Sequence, residues 1–123
     1  MKQYDPAVAP SPSEWLALDE QERLLLVQRY HERAKIDLPN SKVHAVIHTV
    51  VENQLAEVVP AVVETFERLR GEGLERHDVV HAVGSVLARH MSQLMEHGRS
   101  DGDPNAPYFA ELRRLTASGW RAS

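Results

Sequence analysis

The chain has 123 residues, a net charge of −4 and no cysteine. This length suffices for one hydrophobic core, and the absence of cysteine excludes disulfides and thiolate metal sites, so any bound metal must be held by histidine and carboxylate side chains. Acidic and basic residues are interspersed, which argues against a nucleic-acid partner, and no apolar run has the length of a signal peptide or membrane span. We therefore expect a soluble, cytoplasmic protein.

Two capping-box patterns near the N-terminus predict where the first helices begin. Ser11 and Glu14 have the spacing of such a box, with a proline at the first helical position, which predicts a short helical turn. Asp19 and Glu22 repeat the pattern and begin a first full helix over about 19–35.

Further capping, proline and glycine signals divide the rest of the chain into helices. Asn40 is a favourable N-cap, Pro60 is suited to the first turn of a helix, and Gly98 is a natural C-terminal cap. The apolar residues between these signals recur with the 3.6-residue period of a helix. Together they predict helices over about 40–58, 60–70, 75–97 and 108–117.

No segment alternates with period two for long enough to form a sheet, so the fold class is all-α. The lengths of the helices favour a compact bundle of four main helices with a short C-terminal helix. Composition divides the chain into an extended, proline-containing arm over 1–12, a helical bundle over 13–98, and a polar loop with the last helix over 99–123.

Two histidine pairs are the most informative feature of the chain. His44 and His48 are four residues apart in the second full helix, and His77 and His81 repeat that spacing in the fourth. Four residues of an α-helix return to nearly the same face, about 6 Å further along the axis, so each pair places two imidazoles side by side. One pair can hold two positions around a metal ion, and two pairs on facing helices can supply four.

The neighbours of these histidines suggest how the pairs meet. In the second helix an apolar stripe centres on Val43, Ile47 and Val50, the histidines lie at its edge, and Glu52 continues their row. Small residues share the histidine faces of both helices and permit a close approach. If the faces meet, within one subunit or across a two-fold dimer, the four imidazoles converge, with Glu52 as a further ligand or as a base acting on metal-bound water.

Each histidine also has an ordinary structural interpretation. His77 lies in the first turn of its helix, where it can be a solvated capping residue, and His44 and His48 can be hydrogen-bonded histidines at the edge of the core. His90 falls within the apolar stripe of its helix, which favours a core histidine over a ligand.

The two remaining histidines, His31 and His97, lie near helix C-termini. The helix dipole favours a positive charge at that end, so neither position requires a function. The metal hypothesis therefore rests on the two pairs alone.

Known helical metal motifs do not account for the pattern. The metalloprotease helix requires a glutamate directly after its first histidine, where this chain has Ala45 and Asp78, and the paired Glu-x-x-His elements of di-iron bundles are lacking. The doublet of His77 and Asp78 superficially resembles the HD phosphohydrolases, but the required downstream Asp101 lies in a glycine- and proline-containing loop.

Two segments, VHAVIHTVVENQLAE (Val43–Glu57) and ERHDVVHAVGSVLARHM (Glu75–Met91), are similar to the bacterial domain-of-unknown-function family 1841. In that family one helix carries His-x3-His followed by Glu and Gln, and a second carries His-x3-His after a short glycine-containing turn. The resemblance covers roughly residues 14–95 and implies a bacterial helical domain without an assigned reaction. The positions that match the polar positions of the family are His44, His48, Glu52, His77 and His81.

The sequence thus predicts a divalent transition-metal site, with zinc or iron favoured over nickel or manganese. The predicted ligands are His44, His48, Glu52, His77 and His81. The alternative is a non-catalytic helical module that forms a homodimer or docks a partner through the small-residue faces. Neither interpretation assigns a catalytic residue or a small-molecule substrate.

Overall fold

The computed structural model describes residues 1–35, 40–98 and 102–122, and all regular secondary structure in these ranges is helical. The predicted all-α class is therefore confirmed. The helices are α1 (Pro12–Ala17), α2 (Glu20–Arg33), α3 (Ser41–Ala56), α4 (Pro60–Gly71), α5 (Arg76–His97), α6 (Ala106–Arg114) and α7 (Ala117–Ala122).

Side-chain caps position the starts of α2 and α3 as predicted. Asp19 Oδ1 accepts a 2.8 Å hydrogen bond from the Glu22 amide, and the Glu22 carboxylate accepts one in return from the Asp19 amide. Asn40 Oδ1 accepts from the Val43 amide at 3.3 Å. These bonds satisfy amides that have no partner within the first turn of a helix, which is why such residues mark helix starts. Gly98 ends α5 at a positive φ of 69°, also as predicted.

Two local predictions are wrong. Ser11 precedes α1, but its side chain makes no capping hydrogen bond. The C-terminal helix predicted over 108–117 ends earlier, as α6 at Arg114, because Leu115 is extended, and a further helix that was not predicted, α7, follows Thr116. The Thr116 hydroxyl accepts a 3.0 Å hydrogen bond from the Gly119 amide, which is the bond of an N-cap rather than of a helix interior.

The helices form two compact units, Met1–Val59 and Pro60–Ser123. The boundary between them falls inside the segment 13–98, and the assignment of that segment to one bundle stays a prediction. Residues 99–101 of the predicted polar loop, which include Asp101, lie outside the described residues.

In the first unit the N-terminal arm packs against three helices. The arm has no helix before Pro12, yet Tyr4 is fully buried. Trp15 Nε1 and Arg23 Nη1 both donate to Asn53 Oδ1, at 2.9 and 3.1 Å, and so tie α1 and α2 to α3. The buried apolar cluster that results contains Tyr4, Trp15, Leu26, Val27 and Ala45.

The buried face of α3 is not the apolar stripe that the sequence predicts. Val43 is 52% exposed, whereas His48 and Glu52 are each 2% exposed. The face with His48 and Glu52 also carries the small side chains of Ala45 and Thr49, which let neighbouring helices approach closely. Hydrogen bonds on this face satisfy polar groups whose burial would otherwise be unfavourable. Ile47 and Val50 are half-buried, so the predicted stripe faces the core only in part.

In the second unit, α5 buries the face that its apolar period predicts, and α4 is tied to the C-terminal helices. The buried residues of the predicted stripe are Val79, Val83, Val86 and Leu87. Arg68 of α4 donates to the Leu112 carbonyl at 2.9 Å, and Glu72 accepts from the Ala117 amide at 2.8 Å. These bonds supply partners to the end of α6 and to the first turn of α7.

No single helix in the described ranges is both long and apolar enough to cross a membrane. The consecutive helices α3 and α4 have the length and the apolar composition of a membrane span only when the two are taken together.

Candidate metal centre

Helix α2 contributes His31 from its last turn. His31 is 6% exposed, and its Nδ1 lies 2.8 Å from the carbonyl oxygen of Val27, one turn earlier. A carbonyl oxygen only accepts hydrogen bonds, so Nδ1 carries the proton and Nε2 carries the lone pair in the neutral ring. Nε2 is buried and has no hydrogen-bond partner in the described residues. This is the state of an imidazole that is ready to bind a metal ion.

Helix α3 contributes His44 and His48 on the turns that face His31. The ring centroids of His31 and His44 are 4.9 Å apart, those of His31 and His48 are 5.4 Å apart, and those of His44 and His48 are 5.9 Å apart. Each ring offers one nitrogen, and the three nitrogens lie within 4.8 Å of one another. This histidine cluster, His31, His44 and His48, could hold a metal ion.

Small side-chain movements would bring the three nitrogens to bonding distances. Nitrogens that bind one zinc ion at about 2.0–2.1 Å lie about 3.4 Å from one another in tetrahedral geometry. The present separations of up to 4.8 Å exceed that value by about 1.4 Å at most, which rotation about the side-chain torsions can close. The cluster therefore has the dimensions of a three-histidine site.

Tyr4 sets the orientation of His48. The Tyr4 hydroxyl lies 2.7 Å from His48 Nε2 and donates a short hydrogen bond to the Glu52 carboxylate. A phenol has one proton to give, so the bond to Glu52 requires that His48 Nε2 donates to the Tyr4 oxygen. The lone pair of the neutral His48 ring is then on Nδ1, as it is on Nε2 in His31.

The tyrosine is itself held firmly in place. Its ring contacts Trp15, with centroids 5.6 Å apart, and meets Tyr30 edge-on at 6.1 Å. Arg33 Nη2 donates to the Tyr4 backbone carbonyl at 3.1 Å. Because ring and backbone are both fixed, the hydroxyl is presented to His48 and Glu52 at a defined position.

A buried carboxyl group lies close to the histidine cluster. The Glu52 carboxylate is 2% exposed and lies one hydrogen bond beyond Tyr4, while the residues around the cluster include apolar Val27 and Ala45. In such a low-dielectric interior a negative charge attracts a divalent ion more strongly than it would in water. The site thus combines imidazole nitrogens with a buried carboxyl group one hydrogen bond away.

The structure brings together only part of the predicted ligand set within the first unit. His44 and His48 belong to the histidine cluster, and Glu52 reaches it through Tyr4. His77 and His81 lie on α5 in the second unit, half-buried, with ring centroids 4.3 Å apart. The side-by-side arrangement of that pair is as predicted, and its participation in the metal site stays a prediction.

Sequence reasoning missed two residues of the site. His31 was interpreted as a C-terminal residue with no required function, but it is buried in the cluster. Its signal was available, because it follows Val27 by one turn and so continues the buried stripe of α2. Tyr4 had no comparable signal, since it lies in a segment without helical period and its neighbours are distant in the sequence.

No known protein family, curated protein or solved structure matches the chain. The histidine cluster is therefore the feature of the molecule that indicates a function. The resemblance to the domain-of-unknown-function family 1841 stays a prediction.

Proposed function

We propose that the Met1–Val59 unit binds a divalent transition metal through His31, His44 and His48. The observation that carries this proposal is the convergence of their three ring nitrogens within 4.8 Å of one another in a largely buried cluster. Imidazole nitrogens are borderline ligands that suit zinc and iron(II), and the absence of thiolates disfavours metals that require soft sulfur ligands. Zinc and iron are therefore the preferred occupants.

Tyr4 and Glu52 support the site as positioning residues. Ligand histidines in metalloproteins commonly donate their second ring N–H to a carboxylate, a carbonyl or another polar group, which fixes the tautomer and orients the ring. Here the Val27 carbonyl has that role for His31, and the Tyr4 oxygen has it for His48. These two bonds leave Nε2 of His31 and Nδ1 of His48 as the nitrogens with a free lone pair in the neutral rings.

Three histidines fill three of the four positions of a tetrahedral site and leave one for another ligand. Water in that position would become a candidate nucleophile, whereas a fourth protein ligand would make the site structural. His77 and His81 remain the sequence-predicted candidates for completing the set. The metal affinity of a His81→Ala variant tests that prediction. Removal of a fourth ligand lowers the affinity, whereas removal of a histidine that does not bind the metal leaves it unchanged.

Metal content of the purified protein tests the proposed function directly. Untagged protein expressed with added zinc or iron should carry about one ion per chain by elemental analysis. His31→Ala and His48→Ala should each lower metal affinity at least about tenfold, because each removes a nitrogen ligand. His97→Ala is the matched control, since His97 is an exposed histidine at the end of α5.

Two results would contradict the metal proposal. One is a metal content well below half an equivalent after supplemented expression. The other is an equal loss of affinity in His31→Ala and His97→Ala, which would indicate adventitious binding by surface imidazoles.

The alternative of a non-catalytic homodimer module is favoured by one observation. Val43 and Val46, one turn apart on α3, are 52% and 37% exposed. The small residues predicted to form the docking face, Ala45 and Thr49, are instead buried. Sedimentation equilibrium of metal-free protein tests the alternative, because a dimer that dissociates in Val46→Asp would support it and a monomer at all concentrations would exclude it.

A further inference from the structure

The second unit contains an elongated groove between α5, α6 and α7. It consists of two adjoining hollows of about 440 and 410 Å³, a size typical of small-molecule sites. The residues that line both hollows are Val86, Arg89, Glu111 and Arg114. Trp120 of α7 lines the first hollow only, and His90 and Tyr108 line the second only.

The shared wall of the groove carries excess positive charge. Arg114 forms a 2.7 Å ion pair with Glu111, which neutralises both side chains. Arg89 also lines both hollows, and no ion pair joins it to another residue in the described parts of the chain. A guanidinium presents several N–H donors in one plane, which match the paired oxygens of a carboxylate or phosphate group.

His90 adds a buried polar atom to one end of the groove. The side chain is 7% exposed, as the sequence predicts for a core histidine, and its ring stacks on Tyr108 with centroids 5.7 Å apart. Its Nε2 is buried and has no hydrogen-bond partner among the residues that the structure describes. Buried polar atoms nearly always have partners in folded proteins, so this nitrogen beside the second hollow is a group to which a ligand or an ordered water can supply one.

We propose that this groove binds a small organic anion, a carboxylate or a phosphate monoester. Its acid oxygens bind the Arg89 guanidinium and the His90 ring, and its carbon frame lies along the groove toward Trp120. The proposal concerns residues of the second unit alone and does not depend on metal binding in the first.

Titration of ¹⁵N-labelled full-length protein with benzoate and with phenyl phosphate, at constant ionic strength, tests the proposal. At least one probe should produce saturable amide shifts at Arg89 and His90, with an apparent Kd below about 10 mM. The tighter probe identifies the acid class. Arg89→Gln should weaken binding about tenfold, because it removes a charge-assisted hydrogen bond.

Two further variants test whether a loss of binding comes from the lost contact itself, from the change in net charge or from loss of folding. Arg113→Gln is the matched control, because Arg113 is an exposed arginine of α6 that lines neither hollow, and it should change Kd by less than about twofold. His90→Phe retains a ring against Tyr108 but lacks Nε2, and it should weaken binding while the thermal melt stays cooperative. Absence of saturation by both probes, or equal weakening by Arg89→Gln and Arg113→Gln, would overturn the proposal.

Discussion

The side chains of Tyr4 and His48, 44 positions apart in the chain, are joined by a 2.7 Å hydrogen bond. This bond connects the N-terminal arm to the histidine cluster on α2 and α3. Because the Tyr4 proton goes to Glu52, the bond also determines which nitrogen of His48 carries its lone pair. A residue outside every helix thus determines the tautomer of a histidine in a cluster that lies on two helices.

Tyr4→Phe should lower metal affinity about 10- to 100-fold, the range observed when a supporting partner of a metal ligand is removed. The phenyl ring keeps the contacts with Trp15 and Tyr30, so the unit should remain folded. Competition with a chromogenic chelator measures the affinity. Tyr30→Phe, a second hydroxyl deletion in the same aromatic group, is the control, and an equal effect of the two deletions would argue against the assigned role of Tyr4.

Glu52→Gln distinguishes a supporting carboxylate from a metal ligand. A glutamine oxygen can still accept from Tyr4, so a supporting Glu52 predicts a smaller loss of affinity than Tyr4→Phe causes. The double variant should then bind metal about as well as Tyr4→Phe alone, because both changes act through one hydrogen-bonded chain. Additive losses in the double variant would show instead that Glu52 binds the metal itself.

Val51→Ala and Val43→Ala compare the two faces of α3. Val51 is fully buried, and its truncation should lower the free energy of unfolding by about 1–3 kcal/mol. Val43 is 52% exposed, and its truncation should cost less than about 0.5 kcal/mol. Urea denaturation of the metal-free variants measures both values. A larger loss of unfolding free energy in Val43→Ala than in Val51→Ala would show that the stripe with Val43 is the buried face.

Glu72 should make the second unit sensitive to acid. The hydrogen bond from the Ala117 amide, aided by Arg68, lowers the pKa of Glu72 below its ordinary value of 4.5. A lowered folded pKa stabilises the fold above about pH 4.5, and this contribution disappears as the pH falls through the folded pKa. Glu72→Gln should therefore melt below the parent at neutral pH, and the difference should shrink under acid conditions.

The control for this pH dependence is Glu67→Gln, which changes an exposed carboxylate of α4, the helix that ends just before Glu72. Thermal melts of the three proteins between about pH 7 and pH 3 supply the comparison. A difference between the parent and Glu72→Gln that is the same at every pH would contradict the electrostatic explanation and leave only a packing effect.

Most of the helices followed from the sequence because their signals are local. The bonds of Asp19 and Asn40 to nearby amides depend on residues three positions away, and the burial of Val79 and Val83 follows the period of one helix. The break at Thr116 was missed because a threonine fits a helix interior or an N-cap. The contacts that favour the break come from Arg68 of α4 and from Glu72 in the turn after it, more than 40 positions earlier in the chain.

The sequence alone determined the all-α class and the side-by-side histidines on α3, since helical spacing places His44 and His48 together whatever surrounds them. Only the tertiary structure decided which face of α3 is buried and which residues complete the cluster. His31 and Tyr4 join the site through packing between segments that are distant in the chain, and small side chains with matched hydrogen bonds outweigh the hydrophobic period of α3.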